Sequence, residues 1–206
     1  MKKKICLFII LIVLIALIGV FVYLFVKNKN SNESREVIEV VSLDTIEGYN
    51  YHLNDRDSEV YKKYFYELKT ILSDSENIDF EAYARVLSSM YVIDLYSIYN
   101  KLNKYDVTVS DFINPENIDN FRLKVSDTLY KYLEDDTNGK RNQELPKVKE
   151  VNVEEVSNKS FKIDEIEYSG YVVKLSWSYE KDLGYDTEAT LDLIKRDNKI
   201  YVLKQI

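Results

Sequence analysis

The 206-residue chain reads as an α+β domain behind an N-terminal transmembrane helix, with about three helices followed by a C-terminal antiparallel meander sheet. Three observations predict this. An uncharged apolar run fills 5–26, apolar residues then recur at helical spacing between Tyr61 and Tyr132, and beyond Pro146 the period changes to two.

Ile5 to Val26 contains no charge, no Pro and a single Gly. At ~1.5 Å rise per residue it makes a helix of roughly 33 Å, enough to cross a hydrocarbon core of about 30 Å. A cleaved signal peptide calls for a shorter core of ~7–15 residues ending in a small-x-small site. Here the run ends Tyr23-Leu24-Phe25-Val26-Lys27, and the only cysteine, Cys6, lies near its start instead of after it. Every face is apolar, which a helix in the core of a small soluble domain does not need. The run is therefore expected to stay as a single-pass signal anchor whose first partner is the lipid bilayer. Lys2, Lys3, Lys4 and the α-amine before the span outweigh Lys27 and Lys29 after it, so the positive-inside rule places the N-terminus in the cytoplasm. This divides the chain into a cytoplasmic tail at 1–4, a transmembrane helix at 5–26, a polar tether at 27–36 and an extracytoplasmic α+β domain at 37–206.

Residues 1–29 hold five lysines and no acid, so the remaining 23 basic residues face 35 acidic ones, a formal charge of −12. Such a domain repels nucleic acid and anionic headgroups, and nucleic-acid binding is not expected. With no cysteine beyond Cys6 and a single histidine, His52, disulfides, thiol chemistry and His/Cys zinc sites are all excluded from the domain. No cofactor and no metal site is predicted. Richness in Lys, Asn, Ile and Tyr matches the coding bias of AT-rich bacterial genomes.

The elements follow in order. Lys27 to Glu36 is polar and aperiodic, as expected of a tether. Val37 to Leu53 is β-branched and aromatic and is broken at Gly48. Asp55, Asp57 and Ser58 are N-cap candidates for a helix with Tyr61, Tyr64, Phe65, Leu68, Ile71 and Leu72 on its apolar face. Asp55-Arg56-Asp57-Ser58-Glu59 imitates the start of a calcium loop, but the glycine and glutamate that an EF-hand requires are Val60 and Tyr66 here, and capping explains the acids. After a polar break at 73–77, Asp79 caps a second helix with Phe80, Tyr83, Leu87, Tyr91, Leu95, Ile98 and Leu102 on one stripe. Asn114-Pro115-Glu116 announces a third, since proline at the first helical position sacrifices no hydrogen bond and an acid suits the positive helix end. Its predicted buried stripe is Ile118, Phe121, Val125, Leu129 and Tyr132. In the meander, Tyr171, Val173, Leu175, Trp177 and Tyr179 alternate with mostly polar residues, with turns expected at Ser169-Gly170, Asp182 to Gly184 and Asp197-Asn198.

Three helices before a twisted aromatic-rich meander resemble the nuclear transport factor 2-like fold, also described as SnoaL-like or cystatin-like, with a cone-like shape. Asn114-Pro115 and the run Tyr171 to Tyr179 entering Asp182-Leu183-Gly184-Tyr185 carry the resemblance, which covers the order of elements and no functional motif. Bacterial domains of this kind often stand beyond a single N-terminal span as spacers or docking modules, while other members of the fold are small isomerases, cyclases and dehydratases. Enzyme and binder are both compatible with it.

Three residues are candidates for chemistry. Asp94 lies on the apolar stripe of the second helix, where a carboxylate needs partners or a raised pKa. It is either a general acid or base, with Tyr91 or another tyrosine as donor, or a structural carboxylate held by tyrosine hydroxyls or backbone N–H groups. His52 precedes a charged turn and reads as a solvated residue, because nothing in the sequence supplies it with an orienting acid. The aromatics of the last strands read as core. The functional expectation is a non-catalytic binding or scaffold module of the cell envelope with a protein partner there, and the alternative is an enzyme or small-ligand binder using the interior around Asp94.

The intact chain should sediment with membranes, resist high salt and carbonate, and require detergent for release. N-terminal sequencing that begins after Val26 would contradict the uncleaved anchor.

Overall fold

In the computed structural model, which describes residues 19–20 and 40–206, the domain opens with a hairpin of β1 (Ser42–Ile46) and β2 (Tyr51–Asn54). The intervening turn needs left-handed backbone, and Gly48 at φ +81° supplies it without a Cβ penalty. Gly19 and Val20 are helical. The expected span at 5–26 otherwise lies outside the described residues, as do the tail at 1–4, the tether at 27–36 and the start of the first extended segment. Among the described residues no helix is long and apolar enough to cross a membrane.

Helix α1 (Glu59–Ile71) begins where Ser58 accepts the Tyr61 N–H at 3.1 Å, so the cap is the last of the three predicted candidates. It buries Tyr61, Phe65 and Leu68. Asp79 caps α2 (Phe80–Tyr96) by accepting from Glu81 and Ala82. This helix exceeds its predicted stripe: Tyr83, Ala84 and all of Val86 to Tyr96 are buried. The cause is its central place, packed by α1 on one side, by strands of the sheet on another and by the 3₁₀ segment Thr108–Phe112 on a third. The small side chains Ala84, Ser88 and Ser89 allow those neighbours to approach.

Asn114-Pro115 starts a 3₁₀ turn, Pro115–Asn117, which leads into α3 (Ile118–Asp127) without a side-chain cap bond. Two predicted features are corrected here. Helix α3 ends at Asp127, and Thr128 leaves helical backbone at φ −121°, ψ −86°. The 3.6-residue phase stops there, so Tyr132 is exposed while Tyr130, off the predicted stripe, is fully buried and donates to the Leu95 carbonyl at 2.8 Å.

The meander consists of β3 (Val148–Ile163), β4 (Ile166–Tyr179), β5 (Glu188–Arg196) and β6 (Lys199–Gln205), antiparallel and in that spatial order. Val173, Leu175 and Trp177 face the core as the alternation predicts. Ser169-Gly170 is not a turn, because β4 runs straight through it and the reversal comes earlier, at Asp164-Glu165, both in left-handed backbone. Gly170 is required for another reason. A Cβ there would stand 1.9 Å from the Leu193 carbonyl oxygen on β5 and 3.0 Å from the Phe161 ring on β3.

Both sheet edges are protected. β3 carries a run of charged residues and two register shifts, and the outer edge of β6 is met by Ile113 in a parallel bridge and by the Asn114 N–H bonded to the Val202 carbonyl. Aromatic side chains fill much of the space around α2, with Tyr51, Tyr83, Tyr91, Tyr130, Phe65 and Phe112 almost wholly buried. Several tyrosine tips inside are paired, as in the 2.6 Å bond between the Tyr51 and Tyr83 hydroxyls.

Gly170→Ala should destabilise the chain by about 3 kcal/mol, the upper end of the range for overpacking, because the obstacle is backbone and cannot swing away. A urea melt within ~0.5 kcal/mol of wild type would refute the close approach.

Candidate functional site

A carboxylate on a helix enclosed on all sides cannot stay in water, so its partners decide its role. Asp94 is 6% exposed and its partners come from the chain just beyond α2. The helix ends at Tyr96, a 3₁₀ turn at Ile98–Asn100 follows, and Lys101 folds back so that its ammonium, itself 3% exposed, pairs with Asp94 Oδ1. Thr108, opening the next 3₁₀ segment, accepts from Lys101 Nζ at 2.6 Å and donates to the Asp94 carboxylate, with contacts of 2.8 and 3.0 Å to its two oxygens. The expected tyrosine or backbone partners are replaced by an ammonium and a threonine hydroxyl.

Asp94 and Thr108 line a cleft of about 280 Å³ open to solvent. Arg56 stands on its wall, giving one guanidinium nitrogen to the Asn100 carbonyl and the other to Asp106 at 3.1 Å. Asp106 also accepts the Leu102 N–H at 2.8 Å. Asp57 accepts the Asn54 N–H at 2.7 Å and has no cationic partner within ion-pair distance among the described residues. Burial, and then the neighbouring Asp94 charge, push its carboxyl up to about 6 against the pull of the Asn54 N–H, Lys101 and Arg56. Asp111 lies at the outer rim, exposed as a residue but with its carboxyl turned to the cleft, and desolvation followed by the Asp94 charge raises it as well. Tyr61 and Tyr51 complete the inner wall with Phe112, and burial holds both phenols far above their ordinary pKa.

The three candidate residues separate. His52 is exposed at the mouth of this cleft, where its Nδ1 lies 3.2 Å from the Thr45 hydroxyl, so it shares the site with Asp94. Tyr91 does not. Three residues along a helix turn a side chain by about 60° and shift it by about 4.5 Å. On a helix enclosed all round, that is enough to reach different neighbours. Tyr91 lines a separate hollow of about 600 Å³ between α3 and β6 and donates to Gln205 Oε1 at 3.0 Å. Gln205 in turn bonds the Tyr96 hydroxyl, and the Tyr96 ring packs on Trp177 at 4.7 Å, so these aromatics belong to the core. Tyr91 and Asp94 thus line different hollows, and the tyrosines that share the cleft with Asp94 are Tyr61 and Tyr51.

Lys101, Thr108, Arg56, Asp57, Tyr61 and Asp111 were not singled out as site residues in the sequence. One signal was available: Lys101 interrupts the apolar pattern between Ile98 and Leu102, seven residues from Asp94. Among the described residues no three His, Asp or Glu side chains converge to hold a metal ion. Comparison of the chain with protein-family models, curated proteins and solved structures finds no match.

Removing Asp94 leaves Lys101 buried and unpaired, so Asp94→Ala should cost about 3–5 kcal/mol in urea melts. Asp94→Asn keeps the shape but not the charge and should cost nearly as much, while Asp94→Leu combined with Lys101→Met should recover most of the loss. An almost neutral Asp94→Asn would show that Lys101 needs no counter-charge. For Asp57 the folded-state pKa is raised, so ionisation opposes folding. The penalty is complete above pH 6, shrinks as pH falls through 6, and vanishes below the unfolded value of 3.8. Asp57→Asn should thus stabilise the chain by about 1–2 kcal/mol at pH 7.5, allowing for solvent screening of a half-buried group, and by nothing at pH 3.5. A gain of equal size at both pH values would contradict the assignment.

Proposed function

We propose that the chain is a single-pass cell-envelope protein, held in the membrane by residues 5–26 with its α+β domain outside the cytoplasm, and that this domain is a non-catalytic binding module. The observation that carries the reading is the state of Asp94. The Lys101 ammonium and the Thr108 hydroxyl hold its carboxylate in a buried ion pair, which stabilises the charged form and opposes its taking a proton from a substrate, and Tyr91 belongs to another hollow. What remains at the cleft is a set of fixed charges over a packed interior, which suits recognition. The resemblance in element order to nuclear transport factor 2-like domains that stand beyond a membrane span supports the same reading, as does a net acidic domain that stands off anionic lipid.

A second reading rests on Asp57. A carboxyl with a pKa of about 6, in a cleft that also holds His52 and Tyr61, meets the requirement for a general acid or base near neutral pH. On that reading the alternative of an enzyme or small-ligand binder is correct, with Asp57 in place of Asp94 as its centre.

Photo-crosslinking in native membranes tests the binding module. A photoreactive residue at His52, at the cleft mouth, should give a discrete adduct with an envelope component, and the same residue at exposed Ile166 on the far hairpin should not. Asp111→Lys, at an exposed rim position, should abolish the His52 adduct at unchanged protein level. Equal adducts from both sites, or a His52 adduct indifferent to Asp111→Lys, would overturn it.

A further inference from the structure

We propose that the cleft over Asp94 binds an organic ammonium group, an inference that rests on the reading of this cleft as the recognition site. Its carboxylates sort into two classes. Asp94 is neutralised by Lys101, and Asp106 by Arg56. Asp57 and Asp111 have no such partner among the described residues, Asp57 accepting only a backbone N–H. Lys101 and Arg56 are thus ion-paired with other acids, and Asp57 and Asp111 line the cleft without an ion pair of their own among the described residues, Lys101, Arg56, Arg122 and His52 acting on them only through space.

Tyr61 points to a ligand independently. It is 6% exposed and lines the cleft, yet among the described residues its hydroxyl has no hydrogen-bond partner. The other deeply buried tyrosines behave differently: Tyr51 and Tyr83 bond each other, Tyr91 bonds Gln205, and Tyr130 bonds the Leu95 carbonyl. Buried hydroxyls are ordinarily satisfied, and one left open toward a cavity is completed by what enters it. Its oxygen can accept from an N–H donor.

The surrounding chemistry selects the kind of cation. Among the described residues no three His, Asp or Glu side chains converge for a metal ion, whereas Tyr51, Tyr61 and Phe112 put aromatic surface beside the two acids. Carboxylates next to aromatic rings suit an ammonium on an alkyl stem, which gains an ion pair at its head and cation–π and apolar contact along its length. The volume of about 280 Å³ accommodates the head and stem of a short primary alkylamine. The ammonium can be that of a free amine or of a lysine side chain on a partner protein.

The test uses the full chain in nanodiscs and saturation-transfer NMR of three probes: butylammonium, Nα-acetyl-lysine methylamide, and 1-pentanol as the neutral isostere. Saturable binding of butylammonium or the lysine amide, at least ~10-fold tighter than pentanol, is expected. Preference between the two amines separates a free metabolite from a lysine side chain. Asp57→Asn and Asp111→Asn should each weaken the amine about tenfold, and Tyr61→Phe about threefold, with melting curves confirming that all three variants fold. Equal binding of pentanol and amine, or amine affinity unchanged in both Asn variants, would overturn the proposal. If the amine fails while the His52 adduct survives, the ammonium assignment falls and the recognition reading stands. Amine binding without a His52 adduct is the opposite result, which keeps the ammonium site and removes the envelope partner.

Discussion

The helix Phe80–Tyr96 is enclosed on nearly every side, and that constraint shapes the chemistry around it. A charge on such a helix must be neutralised where it stands, since an unpaired buried carboxylate is far more costly than a paired one. Asp94 draws Lys101 and Thr108 inward, and in doing so it sets the path of the chain from Ser97 to Thr108. Arg56 and Arg141 hold the same stretch from outside. Arg56 takes the Asn100 carbonyl and Asp106, and Arg141 donates to the carbonyls of Tyr99 and Lys101 at 2.8 and 2.7 Å. Directional polar contacts thus fix a segment that has little regular secondary structure.

The cleft is a consequence of that arrangement. Two basic side chains pair with two of its acids, and the two that remain, Asp57 and Asp111, are both raised by burial, Asp57 to about 6. Fixed, partly desolvated charge at a rigid wall favours selective recognition over raw affinity, because a mismatched ligand leaves a carboxylate unpaired. The broad acidity of the domain adds long-range attraction for cations and repulsion of polyanions.

Elsewhere the fold depends on tyrosine. Its ring fills the space between helices and sheet, and its hydroxyl reaches across to another element, as between Tyr130 and the Leu95 carbonyl or Tyr64 and the Val151 carbonyl. Such contacts tie residues far apart in the chain with direction as well as area. The sheet relies on close backbone approach at Gly170 and on charged, irregular edges that discourage further pairing.

Much of this was legible in the residues themselves, because local physics governs it. Ser58 and Asp79 as caps, the spacing of Phe65 and Leu68, the alternation from Val173 to Trp177 and the reversal at Asp197-Asn198 depend on neighbours a few positions away. The apolar length of 5–26 and the acidity of the rest are likewise properties of the sequence alone. Asp94 drew notice for the same reason, as a charge out of place on an apolar stripe. Its partners did not, since Lys101 and Thr108 reach it only after the chain turns back beyond α2. Only tertiary structure could send Tyr91 into a different hollow, carry β4 through Gly170, and turn Tyr130 inward while Tyr132 stayed in water. Those outcomes depend on which surfaces meet, and a helix enclosed all round gives every 60° of rotation a different neighbour.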